Sequence, residues 1–185
     1  MTDTKPILIL GGTGKTGRRL AERLAAQGVP VRIGSRSGSP RFDWEVPATW
    51  GPALQGVRAV YISYYPDIAV PGAADTVGAF ARLAVASGIT RLVLLSGRGE
   101  TEAQRAEEMV KASGADWTIL RCAWFSQNFS EGFLIESLLG GEVALPVGTV
   151  GEPFIDADDI ADAAFVASSR PVANAHGPRL ECFGA

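Results

Sequence analysis

The strongest chemical signal in the chain is the run Gly11-Gly12-Thr13-Gly14-Lys15-Thr16-Gly17, set between an apolar stretch and a helical one. That setting is the one phosphate-binding turns require. Two such turns compete. A P-loop needs G-x-x-x-x-G-K-[ST]; Gly14-Lys15-Thr16 supplies its end, but the leading position is Ile9, inside the apolar run. The spacing Gly11-x-x-Gly14-x-x-Gly17 instead fits a variant dinucleotide fingerprint. Its glycines permit a tight turn, a close backbone approach to a pyrophosphate, and close packing of helix on strand. The first helical turn then offers free N–H groups and about half a positive charge to the phosphates. A tight turn that holds no ligand is the alternative.

The end of the second strand decides between cofactors. An acid there would hold a ribose 2′-hydroxyl, whereas arginine accommodates a 2′-phosphate. The chain runs into Ser35-Arg36-Ser37 and has no acid before Asp43. A guanidinium fork between two hydroxyls suits a phosphate dianion. NADP(H) is therefore expected over NAD(H), with a solvated loop arginine as the bland alternative.

Other residues invite two readings each. Tyr64 and Tyr65 end a strand and are expected to line a site, while Tyr61 points into the sheet. Trp124 and Phe125 could be core aromatics, yet the adjoining Ser126, Gln127 and Asn128 favour a polar, ligand-facing turn. Asp156, Asp158 and Asp159 precede a helix and read as capping and dipole-stabilising groups rather than metal ligands. His176, the only histidine, is expected at the surface of a Gly/Pro-bearing tail, and Cys122 in the core. No metal site is expected.

The elements that must position these groups alternate. Residues 5–10, 29–34, 57–65, 90–95 and 116–121 read as strands; residues 14–27, 73–87, 102–112, 157–168 and part of 123–139 read as helices, with Gly28, Gly88 and Gly114 as stops. Residues 35–52 read as loop with one helical turn. Strands alternating with helices of this length form βαβ units. The expected fold is α/β: a Rossmann-like, doubly wound parallel sheet with helices on both faces. At 185 residues, 46% apolar and 20% charged, the chain reads as one domain, 1–185. A net charge of −3 argues against nucleic-acid binding. No apolar run approaches the ~20 residues of a membrane span, and the amino terminus lacks the parts of a secretory signal. Two cysteines are too few for a disulfide framework. A cytoplasmic protein is expected.

The segments ILGGTGKTGRRLAERL, SRSG, FDW, VASGITRLVLLSGRG, EEMVKASGADWTILR, WFSQNFSEGF and FIDADDIADAA resemble the NmrA-like, atypical branch of the short-chain dehydrogenases/reductases, most nearly its NADPH-dependent quinone oxidoreductase-like members. The resemblance runs from Ile7 to about Val166. It implies a Rossmann fold binding NADP(H), in a family holding both oxidoreductases and redox-sensing regulators. By resemblance, Gly11, Thr13, Gly14, Lys15, Thr16 and Gly17 would cradle the pyrophosphate. Ser35 and Arg36 would take the adenosine phosphate, and Asp43 and Trp44 would lie near the adenine. Ser63, Tyr64 and Tyr65 would approach the nicotinamide ribose, with Ser96 and Gly97 at the tip of the fourth strand. Trp124, Phe125, Ser126 and Asn128 would cover the nicotinamide and wall the substrate pocket.

Two departures from the family stand out. The Tyr-x-x-x-Lys pair of ordinary short-chain dehydrogenases is absent: the lysines are Lys5, Lys15 and Lys111, and position 107 is Glu107. Glu107 and Lys111 are expected to form a solvated surface pair. Residues 170–185 read as a divergent tail with an eroded strand, where relatives continue into a further lobe. The expected function is an NADPH-dependent reductase of a quinone, enone or other carbonyl-type small molecule, with Ser96 and Tyr65 orienting substrate or cofactor. A non-catalytic NADP(H)-binding regulator or scaffold is the rival, and a cofactor-dependent isomerase or cyclase a third reading. A homodimer is plausible, its partner covering an open nicotinamide face.

Overall fold

Continuous apolar runs, too hydrophobic for a half-exposed sheet, form the strands of a central sheet covered on both faces. A computed structural model describes residues 4–132, 134–144, 148, 151–169 and the backbone of 179–182. The chain begins β1 (Ile7–Leu10), α1 (Lys15–Ala26) and β2 (Val31–Gly34), followed by a short helix α2 (Trp50–Leu54). Next come β3 (Ala59–Ile62), α3 (Ala73–Ala86), β4 (Arg91–Gly97), α4 (Thr101–Lys111) and β5 (Asp116–Cys122). The last part holds β6 (Trp124–Phe125), α5 (Ile135–Leu139), β7 (Phe154–Ile155), α6 (Ala157–Ser169) and β8 (Arg179–Cys182). Gly28, Gly88 and Gly114, expected to stop helices, all take positive φ.

Six strands pair in the order β2-β1-β3-β4-β5-β8, every pair parallel. Side chains alternate across this sheet. Leu8, Leu10, Val60, Ile62, Leu92 and Leu94 form one core with the buried faces of α2, α3 and α4. Ile7, Ile9, Tyr61 and Val93 form the other with α1 and α6. The doubly wound fold is as expected. After β1 the chain moves to β2 on one side and β3 on the other, so the carboxyl end of β1 is a topological switch point, where such folds open a ligand crevice.

Two expectations are filled in and one is corrected. The segment 170–185, read as a divergent tail, supplies a sixth strand: Arg179–Cys182 pairs with Ile119–Cys122 of β5. His176 lies outside the described residues. The stretch 123–139, read as helical in part, is helical at Ile135–Leu139; ahead of it Trp124 and Phe125 form a short strand on Phe154 and Ile155, with the Trp124 and Phe154 rings edge to face at 6.5 Å. Finally, Glu107 does not meet Lys111. It is fully buried, while Lys111 pairs with Glu108 at 2.7 Å and lies over the Trp117 ring.

An ionic clasp fastens α1 to the far end of the chain. Arg19 donates to Glu131 (2.6 Å) and Asp158 (2.9 Å), Arg18 to Glu131 (2.6 Å), and Arg23 to Asp158 (2.9 Å) and Asp162. Bonds from Arg19, then Arg18, hold the Glu131 carboxyl down at about 2. Since this value lies below that of the unfolded chain, the stabilisation is present at neutral pH. It is lost as pH falls from about 4.5 towards 2. Urea unfolding across that window should show wild type losing up to about 1 kcal/mol that Glu131→Gln does not lose, less at high salt.

Candidate active site

The turn between β1 and α1 is shaped by backbone contacts. Gly11 takes φ +68, a left-handed conformation that side chains disfavour, and its carbonyl accepts the Gly14 N–H at 2.8 Å. A Cβ on Gly17 would come within 2.8 Å of Gly11 C and Gly12 Cα, and closer still to the Gly11 oxygen. The helix can therefore seat against the turn only without a side chain there. Helix α1 has no side-chain N-cap and no acid in its first turn, so its leading N–H groups face outward, free for an anion. Thr16 is buried, its hydroxyl accepting from Tyr61 Oη at 3.0 Å, which ties the turn to β3 from below.

A cavity of about 800 Å³ opens above this turn at the switch point. Gly11, Thr13, Gly14, Lys15 and Thr16 form its floor; Gly17 packs behind them. Ser35 and Arg36 follow β2 on one flank, and Ser63, Tyr64 and Tyr65 follow β3 on the other. The Arg36 guanidinium lies 5.4 Å from the centre of the Tyr65 ring, a cation–π contact that spans the two loops across the mouth. Asp43 and Trp44 line the same cavity. Asp43 is already committed: Arg41 pairs with it at 2.7 Å and the Glu45 N–H caps it, and both hold its carboxyl below the usual range. Trp44 belongs to an aromatic cluster with Phe42, Trp50, Tyr64 and Phe80. Its indole is thus a fixed wall.

A second cavity, about 750 Å³, adjoins the first, and Lys15, Ser63, Tyr64, Pro66, Leu95 and Phe125 line both. Ser96, Gly97, Trp124 and Asn128 lie in its wall. Trp124 is 39% exposed, and Tyr65 at the neighbouring mouth 65%. Both rings are available to a flat ligand. Ser96 differs from expectation. Its side chain points to the α4 face of the sheet and its hydroxyl donates to Glu107 at 2.6 Å, so the proton is spent on that carboxylate rather than on the cavity.

Sequence reading missed three groups. Glu107 receives Arg121 as well as Ser96 (Arg121 Nε to Glu107 Oε1, 2.9 Å), making a buried ion pair directly behind the second cavity. The signal was available: with Ala103, Ala106 and Val110, Glu107 falls on the i, i+3, i+4, i+7 stripe that faces the core. Glu100 and Asp67 also line the second cavity, and loop residues of this kind carry no periodicity to mark them. Glu100 Cδ lies 2.7 Å from where a Cβ on Gly97 would stand, so glycine at 97 leaves room for it. Partial burial, then the Asp67 charge, raise the Glu100 carboxyl above its usual range. Gln127, another polar residue of this region, bonds Asp156 and the Ala157 N–H (both 2.8 Å), and Asp156 accepts the Asp158 N–H. Asp156 thus caps α6, as its position implied. Among the described residues no group of three or more His, Cys, Asp or Glu side chains could hold a metal, and no helix is long and apolar enough to cross a membrane.

Known proteins resemble this chain in sequence and in fold. The NAD(P)H-binding family model matches residues 11–165. Prestalk A differentiation protein A of Dictyostelium discoideum is 32% identical over 187 residues, spanning 90% of this chain and 60% of that protein. The uncharacterized oxidoreductase YesF of Bacillus subtilis (strain 168) is 33% identical over 175 residues, spanning 89% and 60%. In structure, the triphenylmethane reductase of Citrobacter sp., solved with NADP(H), is similar at TM-score 0.70 and 18% identity over 94% of this chain and 68% of its own. The chain spans about 60% of the length of the curated relatives it matches. Fold, glycine turn and sequence agree: the chain belongs to the NAD(P)H-binding family, as its resemblance to the NmrA-like short-chain dehydrogenases/reductases implied.

Proposed function

We propose that this protein is an NADPH-dependent reductase of a quinone, enone or other carbonyl-type small molecule. The observation that carries this reading is the pair of adjoining cavities sharing Lys15, Ser63, Tyr64 and Phe125. One, of about 800 Å³, is floored by backbone N–H groups at a helix terminus that has no side-chain cap. The other is open, with aromatic walls, and suits a flat acceptor. Bound NADPH supplies hydride. The glycine turn would hold its pyrophosphate, and the shared wall would bring its reactive ring beside the second cavity. Positioning of this kind accounts for a large part of the catalysis in hydride transfer.

Arg36 favours the phosphorylated cofactor. It is exposed at the mouth between Ser35 and Ser37, and the nearest acid, Asp43, is spent on Arg41 and the Glu45 N–H. The name of the Bacillus subtilis relative and the NADP(H) complex of the Citrobacter reductase support the same class of chemistry. Calorimetry should show NADPH binding more tightly than NADH, with Arg36→Ala weakening NADPH about 10–100-fold and leaving NADH nearly unchanged. Oxidation of NADPH in the presence of a naphthoquinone would follow. Equal affinity for both cofactors in wild type, or no oxidation with any quinone or enone acceptor, would overturn the reading.

A further inference from the structure

We propose that Glu100 is the proton donor of this reductase, acting from the wall of the second cavity on the oxygen of a bound carbonyl acceptor. The inference rests on the reductase reading above and supplies the acid that the missing Tyr-x-x-x-Lys pair leaves open.

The geometry is specific to this carboxyl. Glu100 opens α4, and its side chain, exposed along one side, folds back over Gly97 at the carboxyl end of β4. There it shares the cavity wall with Phe125 and Asn128. Neighbouring acids are neutralised: Glu102 by Arg105, Glu107 by Arg121, Glu108 by Lys111 and Glu152 by Arg98. Among the described residues Glu100 has no ion pair and no hydrogen bond to its carboxyl. Arg98, two residues earlier, turns to Glu152 instead. Facing Glu100 is another carboxylate, Asp67, on the connection from β3 to α3. The other charged or titratable groups of the wall are Lys15, Tyr64, Arg98, Glu152 and Cys122, with Glu107 and Arg121 behind Ser96. Partial removal from water and the like charge of Asp67 both favour the protonated form of Glu100, which agrees with the upward displacement noted above. A general acid must hold its proton at the pH where it works.

The step balances. As hydride reaches the carbonyl carbon, the C=O π pair moves onto oxygen. The Glu100 O–H bond then breaks, its proton forms the new O–H of the product, and the carboxylate left behind regains a proton from water through the open mouth.

Two measurements test this. In cofactor-free protein with 13C-labelled glutamate, the carboxyl resonance that disappears in Glu100→Gln should titrate above the ordinary glutamate range. Asp67→Asn should move it downward. A midpoint within the ordinary glutamate range would overturn the proposal. In turnover with a 1,4-naphthoquinone, Glu100→Gln should lower kcat about 100-fold and remove the alkaline fall of the kcat/KM profile, while NADPH affinity by calorimetry stays within about 2-fold. A cationic tetrazolium becomes neutral on receiving hydride alone, so its reduction should be spared in the variant. Undiminished naphthoquinone turnover, or equal loss with both acceptors, would refute Glu100 as donor and leave the reductase reading standing. Wild type that binds no NADPH would overturn that reading, and this inference with it.

Discussion

Arg121→Met is expected to cost about 3–5 kcal/mol of folding stability, the largest single effect of any substitution considered for this chain. Glu107 is fully enclosed between α4 and the sheet, and its charge is met there by Arg121 and the Ser96 hydroxyl. Removing the guanidinium strands a carboxylate in a site that water cannot reach. Its neutralisation by proton uptake, or local opening of α4, would then be needed. The pair itself is a different quantity. Replacing both partners, Glu107→Leu with Arg121→Met, removes the desolvated charge together with its partner. That double variant should lose only about 1–2 kcal/mol, mainly the orphaned Ser96 hydroxyl and imperfect packing. A double-mutant cycle by urea unfolding measures the difference. Additive losses in the double variant would mean that the two residues stabilise the fold independently.

Gly17→Ala should have the second largest effect, on stability and ligand affinity together. The added methyl meets main-chain atoms of Gly11 and Gly12, which have no rotamer to relieve the clash. Either α1 lifts from the sheet or the turn opens. Overpacking of this kind costs about 3 kcal/mol, or roughly 6–12 °C in Tm for a domain this size. The shifted N–H groups would lower NAD(P)H affinity by at least about 100-fold. Gly14→Ala is the matched control. Its methyl meets only the Gly11 oxygen, at 3.2 Å, and should cost about 1 kcal/mol or less. Thermal melts and calorimetry on both variants check the contrast; equal losses would show that close helix seating is not what Gly17 provides.

These two sites mark what could be read without coordinates. The glycine turn was legible because backbone geometry dictates residue type there: spacing, preceding apolar run and following helix all point one way. The strands of the sheet were legible for a similar reason, since burial on both faces demands continuous apolar runs such as Ile7–Leu10. Glu107 was misread because its charge outweighed its position on the buried stripe of α4, and its partner lies on a strand, out of helical register. Lys111, the neighbour that sequence offered, sits one turn away but faces Glu108 and Trp117. The strand of Trp124 and Phe125 was not legible because it is only two residues long and owes its form to β7, far along the chain. Strand β8 is similar: its pattern is weak, and β5 supplies the ladder that makes it a strand. Local propensity fails where a distant partner decides. Glu100 and Asp67 escaped notice for another reason. Both come from connections between elements, where nothing in the spacing reveals which residues a fold will bring face to face.

That late pairing of β8 has a consequence for how the molecule is made. Strand β5 is buried by side chains on both faces, yet its outer backbone edge finds a partner only after α6 has been synthesised. Until then Trp117, Thr118, Ile119 and Leu120 sit on a strand with an open row of donors and acceptors, the template on which nascent chains join one another. Closing so distant a parallel contact is slow compared with forming the local helices. The growing sheet therefore carries a sticky edge at β5 for the interval before β8 pairs with it, and yield in the cell will depend on how quickly that edge is covered.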